Sequence, residues 1–244
     1  MKRSLVSNAA VSYRRGASAL ALMAMAFAVT APAFAQTTAP PPAVAPAAAA
    51  SPVYTPTPQV AAAWGISGHD VPFDPAVLLG VLPNGMRYAI RRNTTPLGSV
   101  ILRMRYDVGS IAEAEDQRGL AHFIEHMAFN GSTHIAEGEM IPLLERNGLA
   151  FGPDTNASTG IDETVYKLDL PRNDAALIDT GLMLLRETAS ELTLSEAAVE
   201  RERGVIAAEV RTRDNFQLRN QIDSLQFALP DSPIARRLPS GSAE

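Results

Sequence analysis

The stretch His122-Phe123-Ile124-Glu125-His126 is the most informative part of this chain, because it predicts both a local fold and a chemistry. Residues 119–129 contain no proline and are mostly helix formers, so we expect a helix here. Asp116 is a candidate cap at its start, and Asn130-Gly131 is expected to end it. On a helix, His122 and His126 lie one turn apart on the same face. Two imidazoles at that spacing can hold one metal ion and leave other coordination positions open, with Glu125 beside them as a base toward water.

Only four histidines occur in the whole chain, and two of them fall in this pattern. The alternative interpretation is a surface helix with two solvated histidines and a solvated glutamate. Against it, the rest of the helix is apolar, which is typical of a helix that packs on a core with its polar stripe along a cleft. We therefore interpret the pattern as a metal site. The other two histidines, His69 and His134, are expected to be bystanders.

Two histidines make an incomplete site, because a catalytic zinc usually takes three protein ligands and a water. A predicted helix over 195–214 offers acids at Glu200, Glu202 and Glu209. Glu202 and Glu209 are seven residues apart, so they share a face but lie about 10 Å apart along the axis. We expect one of them to be a ligand and the other to orient a ligand. Spacing alone does not choose between them, and each acid could also be solvated helix surface.

The N-terminal 35 residues are typical of a secretory signal peptide. Basic residues open the chain, Ala17–Val29 is an uncharged apolar run, and Ala33-Phe34-Ala35 is an A-x-A cleavage site. We therefore expect export to the periplasm of a bacterium or to its cell surface, with no stable membrane insertion after cleavage. An uncleaved anchor and twin-arginine export through Arg14-Arg15 stay open as alternatives. Residues 36–63 are rich in proline and alanine and predict an extended linker, and residues 64–244 predict one folded domain.

Charge and cysteine content narrow the function classes. The chain has 21 basic and 26 acidic residues, a formal net charge of −5. Removal of residues 1–35 would take away four basic residues and no acidic ones, which leaves a net charge of −9. An acidic protein without a basic cluster is not expected to bind nucleic acid. Because the chain has no cysteine, disulfides, cysteine metal ligands and a cysteine nucleophile are excluded.

Hydrophobic periodicity predicts an α+β fold with a mainly antiparallel sheet packed with helices. Strands and helices interleave without strict β-α-β alternation, which disfavours a doubly wound parallel sheet. Residues 154–160 are rich in turn formers. The predicted elements are a hairpin over 79–90, strands over 99–108, 149–151 and 163–170, and helices over 138–147, 174–192, 195–214 and 218–227.

Six segments stand in a recognisable order: Leu82–Met86, Val108–Ser110, Arg118–Gly131, Asn156-Ala157, Glu163–Tyr166 and Glu200–Glu209. Together they resemble the pitrilysin-type zinc peptidases, or inverzincins, which include pitrilysin, the insulin-degrading enzyme and the mitochondrial processing peptidase. The resemblance runs from about residue 79 to the end of the chain. It implies the N-terminal catalytic domain of such an enzyme, which is one half of a clamshell.

By position, the resemblance implies one zinc ion per chain, bound by His122, His126 and Glu209. It implies Glu125 as the general base and Glu202 as the supporting acid. The implied reaction is hydrolysis of a peptide bond by a zinc-activated water, whose proton Glu125 would take and pass to the leaving amine.

The resemblance also implies that Asn156 and Ala157 bind substrate, on or beside a sheet edge that takes an extended peptide as an added strand. The separation of His126 and Glu209 is somewhat longer than is usual in the family. An insertion within 148–195 would account for the difference.

Active members of this family close two homologous halves into a chamber, and no second half is recognisable here. We therefore expect an incomplete first domain, truncated at its C-terminus, whose partners are a peptide or unfolded protein and a second homologous half or subunit. The expected function is a zinc-dependent endopeptidase or its catalytic half. Alternatives are a non-catalytic or fragmentary partner subunit, and a zinc hydrolase of non-peptide amides or esters. The isolated chain is expected to bind zinc but to cleave poorly.

Overall fold

The structure, a computed structural model, describes residues 52–239. The predicted signal peptide, 1–35, and the linker up to residue 51 lie outside the described residues. Inside the predicted linker, Pro58–Ala63 forms a short helix, α1. Thr57 caps it by accepting a hydrogen bond from the backbone of Val60, and Pro58 suits the first helical position because its fixed φ is helical. The expectation of extended chain is therefore wrong for this segment.

An antiparallel hairpin forms where the sequence predicts one. Strand β1, Val77–Val81, pairs with β2, Arg87–Arg91. The turn between them is closed by the side chain of Asn84, which accepts a 3.1 Å hydrogen bond from the backbone of Met86. Gly85 lies there at φ 87°, a conformation that favours glycine.

A second sheet has three antiparallel strands in the order β3-β5-β4. They are β3, Val100–Tyr106, β4, Thr155–Thr159, and β5, Thr164–Leu170. The strands predicted over 99–108 and 163–170 are confirmed. Central strand β5 buries every second residue because it is covered on one face only. Strand β4 lies at the edge of the sheet as the structure describes it.

One local prediction in the segment before β5 is wrong. The expected strand over 149–151 reduces to a single bridge between Phe151 and Thr155. The turn-rich stretch 154–160 contains β4, which lies at a sheet edge as the resemblance implied for Asn156 and Ala157. Turn-forming residues are tolerated in this strand because it lies at an edge, where ladder hydrogen bonds are needed on one side only.

Five more helices follow the predicted order, and three of them begin at a side-chain cap. Asp174, Ser195 and Asn215 each accept a hydrogen bond from a backbone amide of the first turn. Within residues 52–239, no helix combines the length and the apolar character that crossing a bilayer requires. The helices are α2, Leu120–Met127, α3, Met140–Arg146, α4, Ala175–Ser190, α5, Glu196–Arg213, and α6, Phe216–Ala228.

The main core lies between the three-stranded sheet and helices α3 and α4. Leu168 and Leu170 of β5 are buried against Leu177 and Leu184 of α4. Each fully buried leucine contributes about 1.5 to 3 kcal/mol to folding. The helix approaches the sheet closely at Gly181, where a Cβ atom would lie 2.8 Å from a methyl group of Leu102. Glycine at this position therefore sets the distance between helix and sheet.

Candidate metal centre

Helix α2 carries the H-x-x-E-H pattern and is held at its N-terminus by an acid that the sequence did not indicate. The carboxylate of Glu113 accepts hydrogen bonds of 2.8 Å from the backbone amides of Gly119 and Ala121. Gly119 itself has φ 90°, so the chain turns sharply into the helix. Asp116 makes no cap, and that prediction is wrong. Glu113 was missed because it stands seven residues before the first residue of the helix, outside the usual capping positions.

Three potential metal ligands converge where α2 faces α5. The Nε2 atoms of His122 and His126 lie 3.2 Å apart. Glu209 places Oε1 3.6 Å from His122 Nε2 and Oε2 3.3 Å from His126 Nε2. Ligands at the zinc distances of about 2.0 to 2.1 Å in a tetrahedral site stand roughly 3.3 Å from one another. The three side chains therefore have the spacing of a zinc site, and they form a candidate metal group.

Glu202 lies on the far side of the second histidine instead of beside Glu209. Its Oε1 is 2.7 Å from Nδ1 of His126, and its Oε2 accepts a 3.0 Å hydrogen bond from the amide of Asn130. A carboxylate that accepts the Nδ1 proton leaves Nε2 unprotonated and turned toward the candidate site. Of the two acids that helical spacing could not distinguish, Glu209 faces the imidazole pair and Glu202 supports one imidazole from behind.

His122 lies deeper than its partner and is only 5% exposed. Burial lowers the pKa of its imidazole, and the nearby ring of His126 lowers it further, while Glu125 and Glu209 act in the opposite direction. A lowered pKa keeps the imidazole neutral, which is the form that binds a metal. Nε2 of this imidazole contacts His126 and Glu209. Its Nδ1 is buried without a hydrogen-bond partner among the described residues.

Glu125 faces the opposite neighbour of the helix, strand β4. It is 8% exposed, and its Oε2 accepts a 2.7 Å hydrogen bond from the hydroxyl of Thr159. The linear sequence indicates no function for Thr159, because nothing in it links positions 34 residues apart. The contact engages one carboxylate oxygen and leaves Oε1 available to a proton.

The outer edge of β4 forms a wall of the same cleft, although at Thr155 the preceding residues Ala150 and Gly152 already bond it. The amide of Gly160 donates to the carbonyl of Glu163, which fixes which residues of this antiparallel pair are hydrogen-bonded. Because hydrogen-bonded and non-hydrogen-bonded pairs alternate, the amides of Asn156 and Ser158 also face β5. The amide of Ala157 therefore points away from the sheet, and it donates to the side chain of Asn156 at 2.9 Å. The predicted substrate residues thus lie on an edge strand with an outward N–H group.

An open cleft of about 620 Å³ joins these features. Its walls include the imidazole pair, Glu125, the outer residues of β4 and the aromatic rings of Phe129 and Phe151, which pack edge to face. Arg213 also lines it and lies 2.5 Å from Glu209. A cleft of this size admits an extended peptide segment. His69 and His134 lie outside this group, and His134 contacts Glu187 instead.

Comparisons with known proteins agree with this arrangement. Residues 88–227 match the insulinase family, peptidase family M16. The chain is 39% identical over 162 residues to "Zinc protease PQQL-like" of Arabidopsis thaliana and 38% identical over 162 residues to "Probable zinc protease PqqL" of Haemophilus influenzae. Both alignments cover 66% of this chain but only 17% and 18% of the relatives, so the chain spans less than a fifth of their length.

A solved structure is also similar to this chain. The first half of the periplasmic protease PqqL from Escherichia coli superimposes with a TM-score of 0.68 at 34% identity, over 71% of this chain and 37% of that one. The predicted α+β fold and the resemblance to pitrilysin-type peptidases are thereby confirmed. The matched region takes up more than half of the chain and contains α2, β4 and α5, which carry the converging side chains. The chain therefore belongs to the insulinase family of peptidases, family M16.

Proposed function

We propose that this chain supplies the metal-binding half of a zinc-dependent endopeptidase. The observation that carries the proposal is the convergence of His122, His126 and Glu209, with Glu125 next to them and the outer edge of β4 along the same cleft. The zinc proteases among its relatives make peptides the expected substrates. A zinc hydrolase of other amides or esters has no comparable support, because an edge strand is suited to an extended main chain.

Zinc fits the donors that are present. Two neutral imidazoles and one carboxylate are a known catalytic zinc set, and the orienting carboxylate of Glu202 is the usual support for a histidine ligand. When bound, zinc supplies Lewis acidity toward a peptide carbonyl and lowers the pKa of a water molecule to about 7. His122, His126 and Glu209 would hold it, one ion per chain.

Side chains and main chain of this protein would transfer the proton and hold the substrate. Thr159 holds one oxygen of Glu125, so the other oxygen can accept the proton of the attacking water and return it to the leaving amine. Ala157 and its neighbour Asn156 would hold the substrate main chain beside β4 by hydrogen bonds, which gives only a mild preference for sequence. Because Thr159 of β4 contacts Glu125 of α2, a peptide beside β4 would have its scissile bond close to the base.

A complete chamber would need more protein than residues 52–239. The PqqL structure continues well beyond the matched part, and its first half alone is larger than this chain. The chain would therefore work with a second homologous half, and as a fragment or partner subunit it would bind zinc yet cleave slowly by itself. The similarity to a periplasmic protease and the predicted signal peptide support export, to the periplasm or the cell surface, as part of the proposal.

The experiment is a paired measurement of zinc and cleavage on the purified chain. Zinc affinity is determined by competition with a chromophoric chelator, and cleavage with a quenched fluorescent peptide. We expect one zinc per chain and slow turnover. Glu125→Gln should keep the zinc and lower the residual cleavage rate at least about 100-fold. Glu209→Gln should lose zinc affinity and activity together.

The outcomes separate the alternatives. A wild-type chain that binds no zinc would exclude the metal centre. Equal cleavage by wild type and Glu125→Gln would remove Glu125 as the base. Fast turnover by the monomeric chain would contradict the need for a second half, and zinc binding with no cleavage at all would favour the partner-subunit alternative.

A further inference from the structure

Asn130 completes a ring of hydrogen bonds with His126 and Glu202. Its Nδ2 lies 3.1 Å from the backbone oxygen of His126 and 3.0 Å from Oε2 of Glu202. The other oxygen of Glu202 lies 2.7 Å from Nδ1 of His126. One amide group therefore holds the backbone of His126 directly and its imidazole through Glu202.

The chemistry of the partners requires an amide nitrogen at this position. A backbone oxygen and an ionised carboxylate only accept hydrogen bonds, and an Asn side chain has two N–H donors on one atom. Aspartate would place a third acceptor against these two acceptors, and leucine would offer no donor. The orientation of the Asn130 amide is thus determined by both of its neighbours.

The position of Glu202 depends on this contact. Its side chain is only 12% exposed, and both oxygens are engaged, one by His126 and one by Asn130. A partly buried carboxylate with an unpaired oxygen is costly, so without Asn130 it would turn toward another donor or toward water. Either movement weakens its hold on the ring of His126.

We propose that Asn130 is a positioning residue of the metal centre, which keeps Glu202 oriented behind His126 and thereby sets the affinity for zinc. The inference rests on the proposed zinc site and adds a residue that the sequence analysis treated only as the end of a helix. Asn130 touches no reacting atom: it reaches the imidazole of His126 only through Glu202, and its other contact is to the backbone of His126.

The structure also supplies a matched control. Asn147 at the end of α3 donates from Nδ2 to the backbone oxygen of Leu143 at 2.9 Å, four residues back, as Asn130 does to His126. Asn147 contacts no metal-site side chain. Asn147→Leu therefore removes the same kind of helix-end hydrogen bond without disturbing the metal centre.

The test is a double-mutant cycle on the zinc affinity of the full chain, measured with zinc itself against a chromophoric chelator. Asn130→Leu should weaken zinc binding by about 3- to 10-fold, less than the roughly 10- to 100-fold typical of a group that contacts a ligand directly. In a Glu202→Ala background the same change should alter the affinity less than about twofold, because the partner through which it acts is gone. Asn147→Leu should leave zinc affinity unchanged. The thermal midpoint of each metal-free variant reports on folding.

Each result has a defined consequence. Equal losses from Asn130→Leu with and without Glu202, or no loss in either background, would overturn the role of Asn130 while the zinc site stands. If Asn130→Leu does not fold, the smaller Asn130→Ser is carried through the same cycle with the same expected coupling. A wild-type chain without zinc affinity would overturn both this inference and the proposed function.

Discussion

The hydroxyl of Thr159 donates a 2.7 Å hydrogen bond to the carboxylate of Glu125. This contact joins the last residue of the edge strand β4 to the middle of helix α2. The acid proposed as general base is therefore held by the same strand that would receive the substrate. If a peptide binds along β4 as proposed, its binding and the orientation of Glu125 would be linked through the side chain of Thr159.

Loss of the Thr159 hydroxyl should slow turnover without changing zinc binding. In Thr159→Val the carboxylate of Glu125 loses the hydrogen bond that the hydroxyl donates to it. A hydrogen bond to a charged group is worth about 1.5 to 3 kcal/mol. We expect kcat to fall at least about tenfold relative to wild type under the same conditions, with KM nearly unchanged. Thr159→Ser keeps the hydroxyl and should restore most of the rate. A valine variant as fast as wild type would show that Glu125 does not need this partner.

Proline at position 157 should test strand addition. The amide of Ala157 points away from β5, so Ala157→Pro removes only an outward donor, which edge strands tolerate. We expect peptide affinity, measured by fluorescence anisotropy on the Glu125→Gln background, to fall about tenfold while zinc affinity is kept. Ala157→Ser is the control that retains the amide.

Ser158 provides the opposite control on the same strand. Its amide faces β5, so Ser158→Pro should break the ladder and lower the thermal midpoint, which Ala157→Pro should not do. If both proline variants bind peptide as wild type does, substrate is not held by the main chain of β4.

Replacing a helical glycine by alanine should lower the free energy of unfolding at Gly181 and raise it at Gly204. A Cβ at Gly181 would meet Leu102 at 2.8 Å and Leu170 at 3.3 Å, so Gly181→Ala should destabilise by about 1 to 2 kcal/mol through overpacking. At Gly204 in α5 nothing lies within 4 Å, so Gly204→Ala should stabilise by about 0.5 to 1 kcal/mol. Urea unfolding of both variants measures the difference. A neutral Gly181→Ala would mean that α4 can move away from the sheet at no cost.

A buried acid outside the site should make stability depend on pH. Glu187 of α4 is fully buried and accepts hydrogen bonds from the backbone and ring of His134 and from Arg186. Burial opposes its charge, but these donors prevail and hold the pKa of its carboxyl at about 2, below the ordinary 4.5. Glu187→Gln should lower the free energy of unfolding by about 2 to 3 kcal/mol at pH 7.

The sign of the pH effect follows from the lowered pKa of Glu187. Its contribution is fully present above pH 4.5 and is lost as the pH falls from 4.5 toward about 2. The difference in unfolding free energy between wild type and Glu187→Gln should therefore shrink over that range. Glu145→Gln on the exposed surface of α3 should differ from wild type by less than about 0.5 kcal/mol throughout. A difference that stays constant down to pH 2 would place the pKa of Glu187 elsewhere.

Local chemistry explains which parts of the fold could be predicted. The β1–β2 turn at Asn84-Gly85 and the capped helices α4 and α5 depend on residues a few positions apart, so linear patterns predict them. Residue periodicity did not indicate the edge strand β4, because its turn-forming residues fit a loop equally well until β5 pairs with them; only the resemblance implied a sheet edge there. The cap of α2 by Glu113 was missed for a related reason, since its side chain reaches forward to amides six and eight residues along the chain.

The amino-acid sequence alone determined the pair of imidazoles and the neighbouring acid, because helical geometry converts a five-residue pattern into a common face. It also placed the chain in its family through several ordered segments. Helical spacing could not tell which acid of α5 faces the pair; the resemblance implied Glu209, and the tertiary structure brings Glu209 to the imidazoles. Only the tertiary structure showed that Thr159 contacts Glu125 and that Asn130 contacts Glu202. These partners come together by packing of α2 against α5 and β4, across 34 to 87 residues of chain. Contacts at such separations depend on how whole elements pack, which no local spacing encodes.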